Sequence, residues 1–218
     1  MAKSMIDLVF FAIGDFGHDC ARTRSVAAAM NNYAGSVWRK PDFVLALGDN
    51  FYPEGVHSVD DPLFQEAWEN VFLAHDNLKV PWKVVLGNHD YMTNYQAQID
   101  FTKHRKNPNG YWQMHDRNYK FSCSVSGESN ESSAAFTADF FALDSNGCQG
   151  HVRRSHPGSD QALFKYVADL SADLASSRAD WKIVFAHHPL YTVGFNHGGL
   201  GRCLRDETYS FGGAQPTV

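Results

Sequence analysis

The stretch LALGDNFYPEGV, Leu45 to Val56, decides how the rest of the chain is read. Apolar residues lead into Gly48, Asp49 and Asn50, and a tyrosine follows three places after the aspartate. A surface turn accounts for Gly, Asp and Asn, which tolerate tight backbone angles. It does not account for the recurrence of the pattern. LVFFAIGD (Leu8 to Asp15) is another apolar run ending in Gly-Asp, PWKVVLGNHD (Pro81 to Asp90) ends in Gly-Asn-His-Asp, and WKIVFAHHP (Trp181 to Pro189) ends in two histidines. In open α/β sheets, ligands sit beyond the carboxyl ends of the strands. These four strand ends therefore converge oxygen and nitrogen donors on one crevice.

The 218 residues suit one well-buried domain, expected to span 1–218. With 44% hydrophobic and 20% charged residues, the composition is that of a globular chain. A net charge of −5 argues against broad nucleic-acid binding or an anionic membrane surface. No apolar run reaches the length of a membrane span. Met1 to Ile13 has a faint signal-peptide character, but cleavage there would remove the first strand and threaten Asp15. The expectation is that any export signal is absent from this chain or precedes its numbering. Cys20, Cys123, Cys148 and Cys203 show no C-x-x-C spacing, leaving four reduced thiols or one disulfide.

Strand-like runs alternate with amphipathic segments, which predicts βαβ units. Helices are expected over Thr23 to Trp38, with Val26, Ala27, Met30 and Tyr33 on one side, over Asp61 to Phe72, over Tyr95 to Lys103, and over Asp160 to Ala175. Tyr111 to Val125 and Ala134 to Asp144, rich in aromatic and β-branched residues, are expected as antiparallel strands of a second sheet. Gly147 to Ser159 reads as an exposed, mobile loop.

Carboxylates, an amide, a phenol and imidazoles suit iron, manganese or zinc better than calcium. One aspartate can bridge two cations, and two metals about 3.5–4 Å apart can clamp a phosphoryl group. Phosphoryl transfer needs that clamp because its catalysis is mainly positioning and charge neutralisation.

GDFG (Gly14 to Gly17), GDNFY (Gly48 to Tyr52), GNHD (Gly87 to Asp90) and HHP (His187 to Pro189) resemble, in order, the motifs of the calcineurin-like metallophosphoesterases. The tyrosine after GDN narrows the likeness to the purple acid phosphatases. FQEAWENVF, VPWKVVLGNHDY and FFALDSNGC are most similar to their tartrate-resistant, mammalian-type branch. The likeness runs from about residue 8 to 203, leaving 204–218 as a tail. It implies a four-layer α/β/β/α sandwich of two mixed sheets flanked by helices, C-terminally incomplete. It also implies an acid phosphatase that hydrolyses phosphate monoesters, small molecules or phosphoproteins, by in-line attack of a metal-bound hydroxide without a covalent phosphoenzyme.

Residue by residue, the resemblance implies that Asp15 and Tyr52 bind Fe(III) and that Asp49 bridges the two ions. Asn88 and His187 would hold Fe(II), with zinc or manganese as the other options. His89 and His197 would face phosphate and protonate the leaving group, with Asp90 orienting His89. His188 is expected to support or pack, and His18 is a polar loop residue with a weaker claim to touch substrate. Cys148 and Cys203 match a family disulfide. The loop 147–159 matches one that limits activity until cut. A secretory, lysosomal or extracellular setting goes with the family, and a monomer is expected.

The family's last motif, Gly-His-x-His, is missing: no histidine follows His197. The leading expectation is a fragment of an active phosphatase. The alternatives are an inactive phosphate- or protein-binding product, or a partner chain that supplies the histidines. A phosphodiesterase is the nearest enzyme rival. Protein Ser/Thr phosphatases, with GDxVDRG and GNHE, fit less well.

Overall fold

The computed structural model describes residues 8–36, 39–126 and 134–191. The predicted strand ends are present and are divided between two sheets. The first contains β1 (Phe10–Ile13), β2 (Phe43–Ala46), β3 (Trp82–Val84) and β4 (Trp112–Gln113), ordered as numbered and parallel throughout. The second contains β5 (Tyr119–Ser126), β6 (Ala134–Ala142) and β7 (Trp181–Phe185). There β5 pairs antiparallel with β6, and β6 pairs parallel with β7. Only the second sheet is mixed among the described residues.

Alternation along β2 builds the layers, because successive strand side chains point to opposite faces. Val44 and Ala46 join the core shared with Ala27 of α1 (Ala21–Ser36) and with Phe64, Trp68 and Phe72 of a π-helix, Phe64–Leu73. Phe43 and Leu45 turn the other way and meet Ala138, Phe140, Ala142 and Phe185 of the second sheet. All four β2 residues are buried, as expected of a parallel strand covered on both faces. On the far side lies α4 (Ser159–Ser176), whose Val167, Leu170 and Leu174 share an apolar cleft with Ile183 and Phe185. The order is helix, sheet, sheet, helix.

Several sequence expectations need correction. Tyr111 to Val125 is not one strand: Trp112 and Gln113 close the first sheet, and the chain crosses to the second before Tyr119. The crossing falls at the polar stretch His115 to Asn118, between aromatic residues on either side. Helix α1 buries Ala27 and Ala34, whereas Val26 and Tyr33 are exposed. Small alanines allow the close approach that a tyrosine would block. The segment expected over Tyr95 to Lys103 ends earlier, as α2 (Tyr95–Phe101), capped by the Asn94 side chain. The stretch 147–159 is no open loop, since it contains α3 (Gly150–Ser155), with Val152 fully buried.

Trp82 sits at the centre of the helix-side core. It packs against Phe16, Trp68 and Phe72 and donates from Nε1 to Leu78 O at 3.2 Å. Trp82→Ala is expected to lower unfolding free energy by about 3–5 kcal/mol. Urea unfolding should show a lower midpoint at unchanged slope.

Candidate metal centre

Each strand of interest stops just short of its functional side chain. β1 is followed by Gly14 and Asp15, β2 by Leu47 to Asp49, β3 by Val85 to Asn88, and β7 by Ala186 and His187. Asp15 and Asp49 have φ of 57° and 52°, in the left-handed region that residues other than glycine seldom adopt. Such outliers concentrate where surrounding structure holds a side chain for use. The loops also touch backbone to backbone: a Cβ on Gly48 (φ 90°) would lie 2.6 Å from Gly87 N. A Cβ on Gly87 would run into Asp49 N and Oδ1. The glycines of GDN and GNH thus bring the two loops into contact.

Asp49 lies at the middle of the donor set and is 3% exposed. Its Oδ2 accepts from the Tyr52 hydroxyl at 2.7 Å, and its Oδ1 accepts from His89 N at 2.9 Å. The same Tyr52 hydroxyl lies 3.1 Å from Asp15 Oδ1. Burial, then the adjacent Asp49 and Asp15 carboxylates, raise the Tyr52 pKa, so with no cation nearby the phenol keeps its proton. A cation between those oxygens would reverse the sign of the effect.

His187 closes the set from the second sheet. Its Nδ1 is 2.8 Å from Leu47 O, which can only accept, so Nδ1 carries a proton. In the neutral ring Nε2 is then a lone pair. It faces Asn88 Oδ1 at 3.2 Å and Asp49 Oδ1 at 3.5 Å. Acceptors converging in this way repel one another unless a cation stands among them. Asp15, Asp49 and His187 offer ligand atoms within 4.8 Å of each other. Asp15, Asp49 and His187 could together hold a metal ion, with the Tyr52 hydroxyl and Asn88 Oδ1 beside them.

The remaining site residues fall into place less evenly. His89 Nδ1 is 2.6 Å from Pro53 O, and its ring stands edge-on to Tyr52 at 4.7 Å. That carbonyl, not Asp90, orients the imidazole. Asp90 is fully buried and accepts from Gly87 N at 2.8 Å, Asn50 N at 3.1 Å, Phe51 N at 3.3 Å and Gln98 Nε2 at 2.9 Å. Burial pushes its carboxyl up to about 6 against the pull of those donors. Its expected catalytic role gives way to fastening the loops, because it points inward while its neighbour points out. His188 is buried with Nδ1 2.8 Å from Ser145 Oγ, and His18 is exposed. His197 and Cys203 lie outside the described residues. Cys148 is disulfide-bonded, whereas Cys20 and Cys123 are free. The sequence reading missed His151, whose Nε2 is 2.9 Å from Asn88 O. No periodicity marks its six-residue helix.

The sequence profile of the calcineurin-like phosphoesterases matches residues 8–215. The chain belongs to the calcineurin-like phosphoesterase family. Its relatives include tartrate-resistant acid phosphatase type 5 of Sus scrofa, 31% identical over 88% of this chain and 56% of that protein. Purple acid phosphatase 7 of Arabidopsis thaliana is 30% identical over 90% of this chain and 57% of its own length. The chain thus spans little more than half the length of these relatives. A solved structure from Plasmodium, described as GAP50, the anchor in the inner membrane complex, shares the fold with a TM-score of 0.65. It is 22% identical, over 92% of this chain and 62% of its own. Among the described residues, no helix is long and apolar enough to cross a membrane.

Asp90→Asn would turn an amide N–H₂ toward donors. It is expected to cost about 1–3 kcal/mol of stability, read by chemical denaturation. Unchanged stability would mean that these buried hydrogen bonds contribute nothing net.

Proposed function

We propose that this phosphoesterase is a metal-dependent acid phosphatase acting on phosphate monoesters, with two ions sharing Asp49. The observation that carries the reading is the position of Asp49, buried between Tyr52 and Asp15 on one side and His187 and Asn88 on the other. Relatives that are acid phosphatases support it. Asp15 and Tyr52 would hold Fe(III), and Asn88 and His187 a divalent ion, iron, zinc or manganese. When bound, the ions supply Lewis acidity and charge neutralisation to a phosphoryl group.

The chain's own residues do the rest. Tyr52 would hold the more highly charged ion through its hydroxyl oxygen, which lies between Asp49 Oδ2 and Asp15 Oδ1. Asp49 turns Oδ2 toward Tyr52 and Oδ1 toward His187, so it would be the residue shared by the two ions. His89 has Nδ1 occupied by Pro53 O, so Nε2, 3.9 Å from Asp49 Oδ2, is the atom that would meet a phosphoryl oxygen or protonate the leaving alkoxide. His197 is assigned to the same task by its motif alone.

A second reading is a binding module without turnover. The fold shared with a protein described as an anchor is compatible with it, because fold does not fix function. Metal content per chain after iron reconstitution, combined with hydrolysis of p-nitrophenyl phosphate, separates the two. Two retained ions with turnover are expected. A fraction of one ion and no turnover would leave the binding module.

Tyr52→Phe is expected to abolish the visible phenolate-to-iron absorption of the reconstituted protein. It should also weaken retention of the first ion. A colour that survives this substitution would remove Tyr52 from the ligand set.

A further inference from the structure

We propose that His151 is a positioning residue that clamps the peptide joining Asn88 to His89. This role rests on reading Asn88 as a metal ligand. The peptide plane is gripped at both ends: its N–H, on His89, donates to Asp49 Oδ1 at 2.9 Å, and its carbonyl, on Asn88, lies 2.9 Å from His151 Nε2. A carbonyl can only accept, so His151 Nε2 is the donor. One side chain of that peptide is the candidate ligand for the divalent ion, and the other is the imidazole that faces phosphate. A rotation of the plane would swing both.

The clamp belongs to a larger docking. The segment 144–156 holds the loop Leu86 to Tyr91 at three further points. Asn146 Nδ2 donates to Leu86 O at 2.9 Å, the Tyr91 hydroxyl donates to the buried Asp144 carboxylate, and the His156 ring stands edge-on to Tyr91 at 5.3 Å. Val152 is buried beneath α3, and a Cβ on Gly147 would collide with Ser159 O and with Leu163. The helix therefore lies close against its support and delivers His151 from a fixed base. A histidine that merely packed at this place would not need its ring nitrogen at the one carbonyl between the two functional side chains.

The test compares wild type with H151F and H151Q in the full chain. Glutamine keeps an N–H donor at similar reach, whereas phenylalanine keeps only the volume. Metal retention is measured by competition with a graded chelator after loading with zinc alone, and p-nitrophenyl phosphate kinetics and melting temperature are followed in parallel. H151F is expected to weaken metal retention about 10–100-fold, as loss of a partner to a metal ligand does elsewhere. H151Q should recover most of that loss, and kcat should fall more than KM rises in H151F. Should H151F fail to fold, H151N takes its place, polar but with its amide nitrogen too short to reach Asn88 O. Equal retention in all variants, or equal loss in H151F and H151Q, would overturn the positioning role while leaving the metal reading intact. A wild-type chain that holds no zinc would instead remove the metal reading, and this role with it.

Discussion

A single buried carboxylate makes the site possible. Asp90 draws together Asn50 N and Phe51 N, which follow β2, and Gly87 N, which follows β3. Without an acceptor at that point, three backbone donors and the Gln98 amide would be buried and unpaired, a cost that folded proteins avoid almost everywhere. Because these donors are fixed, Asp49 and Asn88 have defined positions before any ion arrives. The left-handed backbone at Asp15 and Asp49 sits among further hydrogen bonds, Asp15 N to Gly48 O at 3.0 Å and Gly17 N to Asp49 O at 3.2 Å.

The two sheets contribute unequally to this arrangement. The first, parallel throughout, lines up the ends of β1, β2 and β3 on one edge and so delivers Asp15, Asp49 and Asn88 together. The second brings His187 across, and the bond between its Nδ1 and Leu47 O is the stitch between the sheets at the site. That stitch also selects the tautomer that leaves Nε2 as a lone pair. Sheet packing, imidazole tautomer and ligand geometry are therefore one constraint viewed at three scales.

Much of this was legible in the sequence because the strands read as apolar runs, although only β2 of the four is buried at every residue. Their abrupt endings in GD, GDN, GNHD and HHP mark the edge where chemistry collects. What the sequence concealed was direction. Asp90 adjoins His89 in the chain, yet consecutive loop residues point to opposite sides, and Asp90 serves the backbone beneath. Val26 and Tyr33 share a helical face on paper, but the alanine face packs closer. The segment 147–159 has composition suited to a loop, and its tertiary contacts, the buried Val152 and the bond between His151 and Asn88 O among them, are not visible in that composition. The crossing between β4 and β5 falls at His115 to Asn118, a short polar break that the aromatic residues on either side mask.

The span of the stitch has a consequence for how the molecule comes to exist. Leu47 and His187 are 140 residues apart in sequence, and Asn88 and His187 are 99 apart. Contacts of such separation require long loops to close before they repay anything, and they slow folding. The three donors on the first sheet can assemble among themselves, whereas the imidazole arrives only when β7 has docked beside β6. The grouping of Asp15, Asp49 and His187 is therefore a property of the folded chain rather than of any folding intermediate. An ion that needs His187 binds at the end of folding and stabilises the native state by mass action.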